Sequence, residues 1–469
     1  MEDYFNEVMD DAENDIDITM IRDAEHTIPG DDIYSGDSLS GLLDFMTEDP
    51  VVRDQLVEWQ VNWMDKFDID YYRVDTVKHV DNVTWQAFKN ELTKVNPDFK
   101  MIGEYYGAGY AGTGGALGTG TMDSLLDFDT NDKAKDFVTG KITDVEAFYV
   151  DRNENISNSA TLGGFLSSHD ENSFVDMLIN EKGKTEAEAL ELAKVAAALQ
   201  ITAKGQVVIY YGEEIGQHGL NNYPIQSNRN DFNWTAAETQ ANTEGSMLKH
   251  YQKLLEIRGT YSDVFATGTR ETIAVNDTAG YDVFKRASGE DELFVALNIK
   301  SAAQNVKVTT DSVDGTIYTD LYSGKEYKVV SGSVIVSIPA AADGGTAVLV
   351  ETGWEEPDEA VDFSGDLAIH VQKPNGWSKV NVYTWDINEA TVSGSWPGTE
   401  MTANVDNDGW YDIKLKDIEL AEGKLNMIFN NGSAQTSDTP YTIPAGTTDI
   451  WVTSVSASTV PTISNEEPT

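Results

Sequence analysis

Tyr72-Arg73-Val74-Asp75-Thr76-Val77-Lys78-His79, residues 72–79, follows Lys66-Phe67-Asp68-Ile69-Asp70-Tyr71 and predicts a short buried strand that ends in ionisable groups. Side chains alternate along a strand, so Arg73 and Asp75 share a face about 7 Å apart. A guanidinium there favours the ionised carboxylate. A carboxylate held anionic at the mouth of a parallel sheet suits a nucleophile or a cation stabiliser. Taken alone, the motif is more simply a structural Arg–Asp pair at a strand end.

Two further carboxylates occupy the same kind of place. Asp98-Phe99-Lys100-Met101-Ile102-Gly103 reads as a strand and delivers Glu104. Thr161-Leu162-Gly163-Gly164-Phe165-Leu166-Ser167-Ser168 reads as another and delivers His169 and Asp170. Helical stretches at 85–95 and about 131–153 separate them. Strands alternating with helices imply a parallel sheet, and such folds place chemistry at the C-terminal ends of their strands. Three strand-terminal acids are hard to explain as structure alone.

Four ordered motifs, YYRVDTVKH at 71–79, IGE at 102–104, FLSSHD at 165–170 and VVIYYGEEIG at 207–216, together with the loop at 38–44, resemble the α-amylase family, glycoside hydrolase family 13. The resemblance covers roughly residues 30–350. Tyr71-Tyr72 stand where that family usually has Gly-Phe, and Ser168 where it has Asn. It implies that Asp75 is the nucleophile, Glu104 the general acid/base and Asp170 the third, transition-state-stabilising carboxylate. Met101 and Ile102 fit a Glu104 carboxyl kept protonated by partial desolvation. Arg73, Lys78, His79 and His169 would bind substrate, Lys78 and His79 on the acceptor side. A nucleophile and acid about 5–5.5 Å apart would retain anomeric configuration.

The resemblance also implies a (β/α)₈ barrel with calcium, the His79 backbone carbonyl among its ligands. The family's third-strand Asp-x-x-x-Asn-His motif is not found before residue 71. The chain is therefore expected to begin inside the domain inserted after strand three and to hold about five barrel strands, with the calcium site incomplete. One helix precedes the first of them. Asp49 caps it, Pro50 opens it, and Val52, Leu56, Trp59, Trp63 and Phe67 are its expected apolar stripe. Thr185 and Glu188 predict a capping box for an Ala-rich helix over 186–204, followed by an eighth strand at 206–211 and a closing helix at 243–258.

From 261 the pattern becomes short strands at 273–275, 281–286, 293–298, 306–308, 333–336 and 347–350, which argues an antiparallel sandwich. An acidic linker is expected at 352–365. A second β-sandwich over 366–454 resembles starch-binding modules of carbohydrate-binding family 26, through Gly376-Trp377, Val382-Tyr383-Thr384-Trp385, Trp396-Pro397-Gly398-Thr399 and Gly409-Trp410-Tyr411. Tyr383, Trp385 and Trp396 are expected to face ligand, and Trp377 and Trp410 the core, although all five could fill a small core. The expected organisation is thus a partial barrel at 1–260, a sandwich at 261–351, the linker, the module, and a linker-like tail at 455–469.

With 80 acidic against 32 basic residues, the formal charge of −48 argues against nucleic acid or anionic membranes as partners. There are no cysteines, hence no disulfide or thiol chemistry. No apolar run is long enough for membrane insertion. An extracellular or cell-surface enzyme acting on starch and maltooligosaccharides, with no organic cofactor, fits these features. A starch-binding fragment with an inert barrel, and a relative with transglycosylase or pullulan and α-1,6 activity, remain open at this point.

Overall fold

The computed structural model describes residues 21–22, 44–110, 122–156, 162–356, 361–405, 407, 409–444 and 446–468. The 38–43 part of the loop in the family resemblance lies outside them. The chain divides into two compact units, Met1–Thr130 with Asn158–Phe165, and Asn131–Ser157 with Leu166–Thr469.

In the first unit, β1 (Ile21–Arg22) pairs antiparallel with β2 (Asp44–Phe45). Helix α1 (Pro50–Phe67) starts as its sequence dictates: the Asp49 side chain accepts from Val51 N and proline takes the first turn. Its buried face differs from the expected stripe. Val52, Val57 and Met64 are buried, Val61 packs beside them, and Trp63 and Phe67 lie more than half exposed, stacked on each other at 5.1 Å. The spacing of Val57, Val61 and Met64 is also helical, and Val61 and Met64 meet Leu92, Phe99 and Met101.

The parallel sheet follows. β3 (Tyr71–Val74), α2 (Asn82–Val95), β4 (Lys100–Gly103), β5 (Ser124–Asp127) and β6 (Leu162–Phe165) give strand order β3-β4-β5-β6, in registers such as Arg73↔Ile102 and Leu125↔Leu162. Strand β5 was not anticipated. Helix α3 (Phe128–Val138) leads from this unit into the second, where α4 (Ile142–Asn155), α5 (Phe174–Lys182), α6 (Glu186–Thr202) and the short β7 (Gln206–Val208) lie. Thr185 and Glu188 form the capping box reciprocally. A hairpin, β8 (Asn221–Asn222) with β9 (Ile225–Gln226), precedes α7 (Trp234–Ala241), α8 (Met247–Thr260) and α9 (Ser262–Ala266). The closing helix α8 begins later than expected, because Ser246 is its cap and accepts from Lys249 N.

The first sandwich consists of β10 (Thr269–Asn276), β11 (Tyr281–Ser288), β12 (Asp291–Asn298), β13 (Gln304–Thr309), β14 (Thr316–Asp320), β15 (Glu326–Lys328), β16 (Ser333–Ile338) and β17 (Thr346–Trp354). Six strands order as β10-β11-β12-β17-β14-β15, and β13 pairs with β16. β12 is apolar from Leu293 to Leu297 because both its faces are covered there. Leu293, Val295 and Leu297 join the helical core with Val195, Leu199 and Leu254. Phe294 and Ala296 pack on Val306, Val308, Val334 and Val336 of the small sheet. Arg286, fully buried, donates to the carbonyls of Thr202, Val264, Phe265, Gly268 and Thr269. One side chain thereby ties the C-terminus of α6 to the sandwich, and a cation there also suits the helix dipole.

The last domain holds β18 (Phe363–Gln372), β19 (Asn381–Trp385), β20 (Thr399–Glu400), β21 (Thr402–Ala403), β22 (Trp410–Leu420), β23 (Lys424–Asn430), β24 (Thr439–Thr442), β25 (Asp449–Thr453) and β26 (Thr462–Ser464), in sheets β21-β22-β18-β25-β26 and β20-β19-β23-β24. Leu367, Ile369, Val371, Val382, Met427, Phe429, Ile450 and Val452 close its core. The expected linkers are shorter than read. β17 runs to Trp354, β18 starts at Phe363, and the tail at 455–469 contributes β26, paired with β25.

Candidate active site and aromatic face

In the first unit the end of β3 and the end of β4 are stitched together. Glu104 N donates to Val74 O at 2.7 Å, and Val77 N returns to Glu104 O at 2.9 Å. Thr76, in a left-handed conformation at φ 49°, aims its amide at Glu104 Oε2, 3.0 Å away. The residue next to Asp75 therefore holds the Glu104 carboxylate. Asp75 itself is paired with Arg73, as their shared face predicted, and stays largely exposed. Lys78 Nζ lies 5.8 Å from the Tyr105 ring centre. His79 closes the short 3-10 turn Val77–His79, which Trp85 Nε1 fixes through Val77 O. This unit thus brings Arg73, Asp75, Lys78, His79 and Glu104 to one end of the parallel sheet. β5 ends there too, in the fully buried Asp127.

In the second unit the residues after β6 carry His169 and Asp170. His169 Nε2 lies 3.0 Å from Asp170 Oδ2. Arg229, from the turn after the β8–β9 hairpin, donates Nη2 to Asp170 Oδ1 at 2.8 Å and Nε to the His169 carbonyl at 2.9 Å. Asn228 adds bonds to the carbonyls of His169 and Glu171, and the Asn221 amide reaches the Asp170 carbonyl. Sequence reasoning missed Arg229, Asn228 and Asn221. The available signal was the polar connection of more than 20 residues between β7 and α7, since long connections are usually functional.

Beneath this loop, Tyr251 OH donates to Glu213 Oε1 at 2.8 Å. Glu213 as a residue is only partly buried, but its Oε2 is shut off from solvent and meets no partner at hydrogen-bonding geometry. Burial pushes this carboxyl up to about 7, against the favourable influence of Ser167 and Tyr251.

Among the described residues no three His, Cys, Asp or Glu side chains are grouped to hold a metal ion. No helix among the described residues is long and apolar enough to cross a membrane.

On β19 the ring centres of Tyr383 and Trp385 are 5.3 Å apart and tilted by 33°, and Trp396 meets Tyr383 edge-on at 5.5 Å. Trp396 is half exposed. Its turn closes over β19 so tightly that a Cβ on Gly398, at φ 86°, would sit 2.0 Å from Val382 O. Trp377 is in the core as expected. Trp410, expected there too, is only partly buried, because it begins β22 at the sheet's end.

Residues 31–231 match the family model described as alpha amylase, catalytic domain, and residues 369–441 match that of starch-binding module 26. The first segment belongs to the α-amylase family. The second belongs to that family of starch-binding modules. An α-amylase of Streptomyces lividans is 29% identical over 388 residues, covering 75% of this chain and 41% of that protein. The periplasmic α-amylase of Escherichia coli K12 is 29% identical over 263 residues, 52% of this chain and 34% of that protein. The chain thus spans less than half the length of either. The crystal structure of an Anoxybacillus α-amylase superposes with a TM-score of 0.57 at 24% identity, covering 68% of this chain and 67% of that one. The fold is therefore the α-amylase one, the β/α units being part of a (β/α)₈ barrel with β-sandwiches after it.

Proposed function

We propose that the chain hydrolyses internal α-1,4-glucosidic bonds of starch and related α-glucans with retention of configuration. The observation that carries this reading is the Thr76 amide on Glu104 Oε2, which fixes one carboxylate beside the turn that bears the other. Asp75 attacks the anomeric carbon as the Glu104 carboxylic acid gives its proton to the departing glycosidic oxygen. A covalent glycosyl ester on Asp75 results. Glu104, now a carboxylate, takes a proton from water, whose oxygen displaces Asp75 and regenerates both groups. Asp170, oriented by Arg229, grips sugar hydroxyls and stabilises the oxocarbenium-like transition state. His169, Arg73, Lys78 and His79 bind the flanking sugars.

Tyr383, Trp385 and Trp396 supply an aromatic face for starch and maltooligosaccharides, since flat rings stack on pyranose faces. A polymer of that size favours action outside the cell, and we assign the protein there.

The test is release of reducing ends from amylose by the purified chain and by Glu104→Gln, with the anomer formed read by proton NMR. General acid catalysis contributes about 10²–10⁴-fold, so the variant should lose at least that much. Retention of more than about a tenth of the rate would remove Glu104 from its role. Cleavage of pullulan or cyclodextrin in place of amylose would change the linkage assigned.

A further inference from the structure

We infer that glucan binding on the starch-binding module extends past its three aromatic residues, across β23, into a crevice shared with the preceding sandwich. The inference rests on the starch-binding reading above and deepens it. Along β19, Val382 and Thr384 are buried, so Tyr383 and Trp385 point outward. Along β23, Leu425, Met427 and Phe429 are buried, so Lys424, Asn426 and Ile428 point to that same outer face. The register sets Trp385 opposite Asn426, and Asn426 opposite Pro440 of β24. Direct cross-strand neighbours lie about 5 Å apart. Asn426 is therefore the direct cross-strand neighbour of Trp385.

Beyond Asn426 opens a cavity of about 400 Å³. The module lines it with Ile387, Lys424, Asn426 and Tyr441, and the preceding sandwich closes it with Val330 and Ser331. Val330 and Ile387 are exposed apolar residues on its two lips. The lips are held in place, because Val460 N donates to Asn305 O at 3.1 Å and Asn305 Nδ2 to Thr462 Oγ1 at 2.9 Å.

The lining suits a sugar. Ile387 and Val330 give apolar surface for a pyranose face, and Pro440, opposite Asn426, adds to it. The Asn426 amide and Ser331 hydroxyl, with the Lys424 ammonium beside the Glu422 carboxylate at 2.6 Å, give donors and acceptors for its hydroxyl rim. The Asn426 side chain makes no hydrogen bond among the described residues, which leaves its amide available. The occupant is the continuation of an α-1,4-glucan whose first units stack on Tyr383, Trp385 and Trp396.

Calorimetric titration of the full chain with maltose and with maltoheptaose tests this, comparing the parent with Asn426→Ala and Val330→Trp. The second variant fills the crevice from the sandwich side and leaves every module residue intact. Both should weaken maltoheptaose about fivefold or more and leave maltose unchanged. Variants that bind both sugars as the parent does, or that lose both equally, would overturn the extended groove. A parent that binds neither sugar would overturn the starch-binding reading and the groove with it.

Discussion

Arg229 holds Asp170 by a side-chain bond of 2.8 Å and the adjacent His169 carbonyl by another of 2.9 Å, from 59 residues further along the chain. A guanidinium makes both bonds in one plane, which an ammonium cannot. Arg229→Leu should lower kcat/KM on amylose about 10–100-fold, as a loosened reacting group does. Arg229→Lys should recover only part. The pair is about half exposed, so stability should change by less than about 1 kcal/mol. Steady-state kinetics with a parallel thermal melt would show it. A large drop in melting temperature would make Arg229 a structural residue.

Glu213 should give the protein a pH-dependent stability. Burial raises its carboxyl from 4.5 to about 7, with Tyr251 and Glu214 the titratable groups facing it. A raised folded-state pKa means that the native state keeps a proton which the unfolded chain releases. That contribution is complete below about pH 4.5 and is lost as pH rises through about 7, at most roughly 3 kcal/mol. Glu213→Gln, which mimics the protonated form, should flatten the fall in melting temperature between those values. A parent and variant with parallel curves would contradict it.

Arg286→Met should destabilise the second unit. It removes a donor from the buried carbonyls of Thr202, Val264, Phe265, Gly268 and Thr269; Val264 O keeps Gly268 N and Gly268 O keeps the Asn153 amide, and each group left unpaired costs about 1–3 kcal/mol. A fall in melting temperature of roughly 10 °C is expected by calorimetry. A fall below roughly 2 °C would mean that water replaces the guanidinium.

Trp396→Ala should weaken maltoheptaose binding about tenfold, since removing an aromatic anchor costs about 2 kcal/mol or more. Trp377→Ala should leave the intrinsic affinity unchanged and lower the melting temperature, because Trp377 is in the module's core. Titration and melting of both variants separate the roles. An unaltered Trp396→Ala would move the stacking face elsewhere.

What the sequence revealed was local. That Asp75 and Glu104 directly follow strands was legible because each follows a short apolar run, and the Asp49 cap and the Thr185–Glu188 box because caps involve residues three apart or fewer. β5 escaped notice because only Leu125 and Leu126 mark it, between Asp123 and Asp127. Ring size does not decide which face of α1 is buried. Trp63 and Phe67 satisfy each other on the surface, while Val61 and Met64 do the packing. Arg229 was invisible because its partner is distant in sequence and brought close only by the hairpin.

β12 has a consequence for inheritance. Its Leu293, Val295 and Leu297 complete the same apolar interior as α6 and α8, so a crossover between genes at residue 260 would leave two half-built interiors. The sandwich and those helices must descend together. The aromatic module, whose interior closes on itself, is the part that evolution could graft onto another scaffold. Such a graft would carry Tyr383, Trp385 and Trp396 but leave Val330 and Ser331 behind. A transplanted copy should therefore grip short glucans as well as the original and long ones less well.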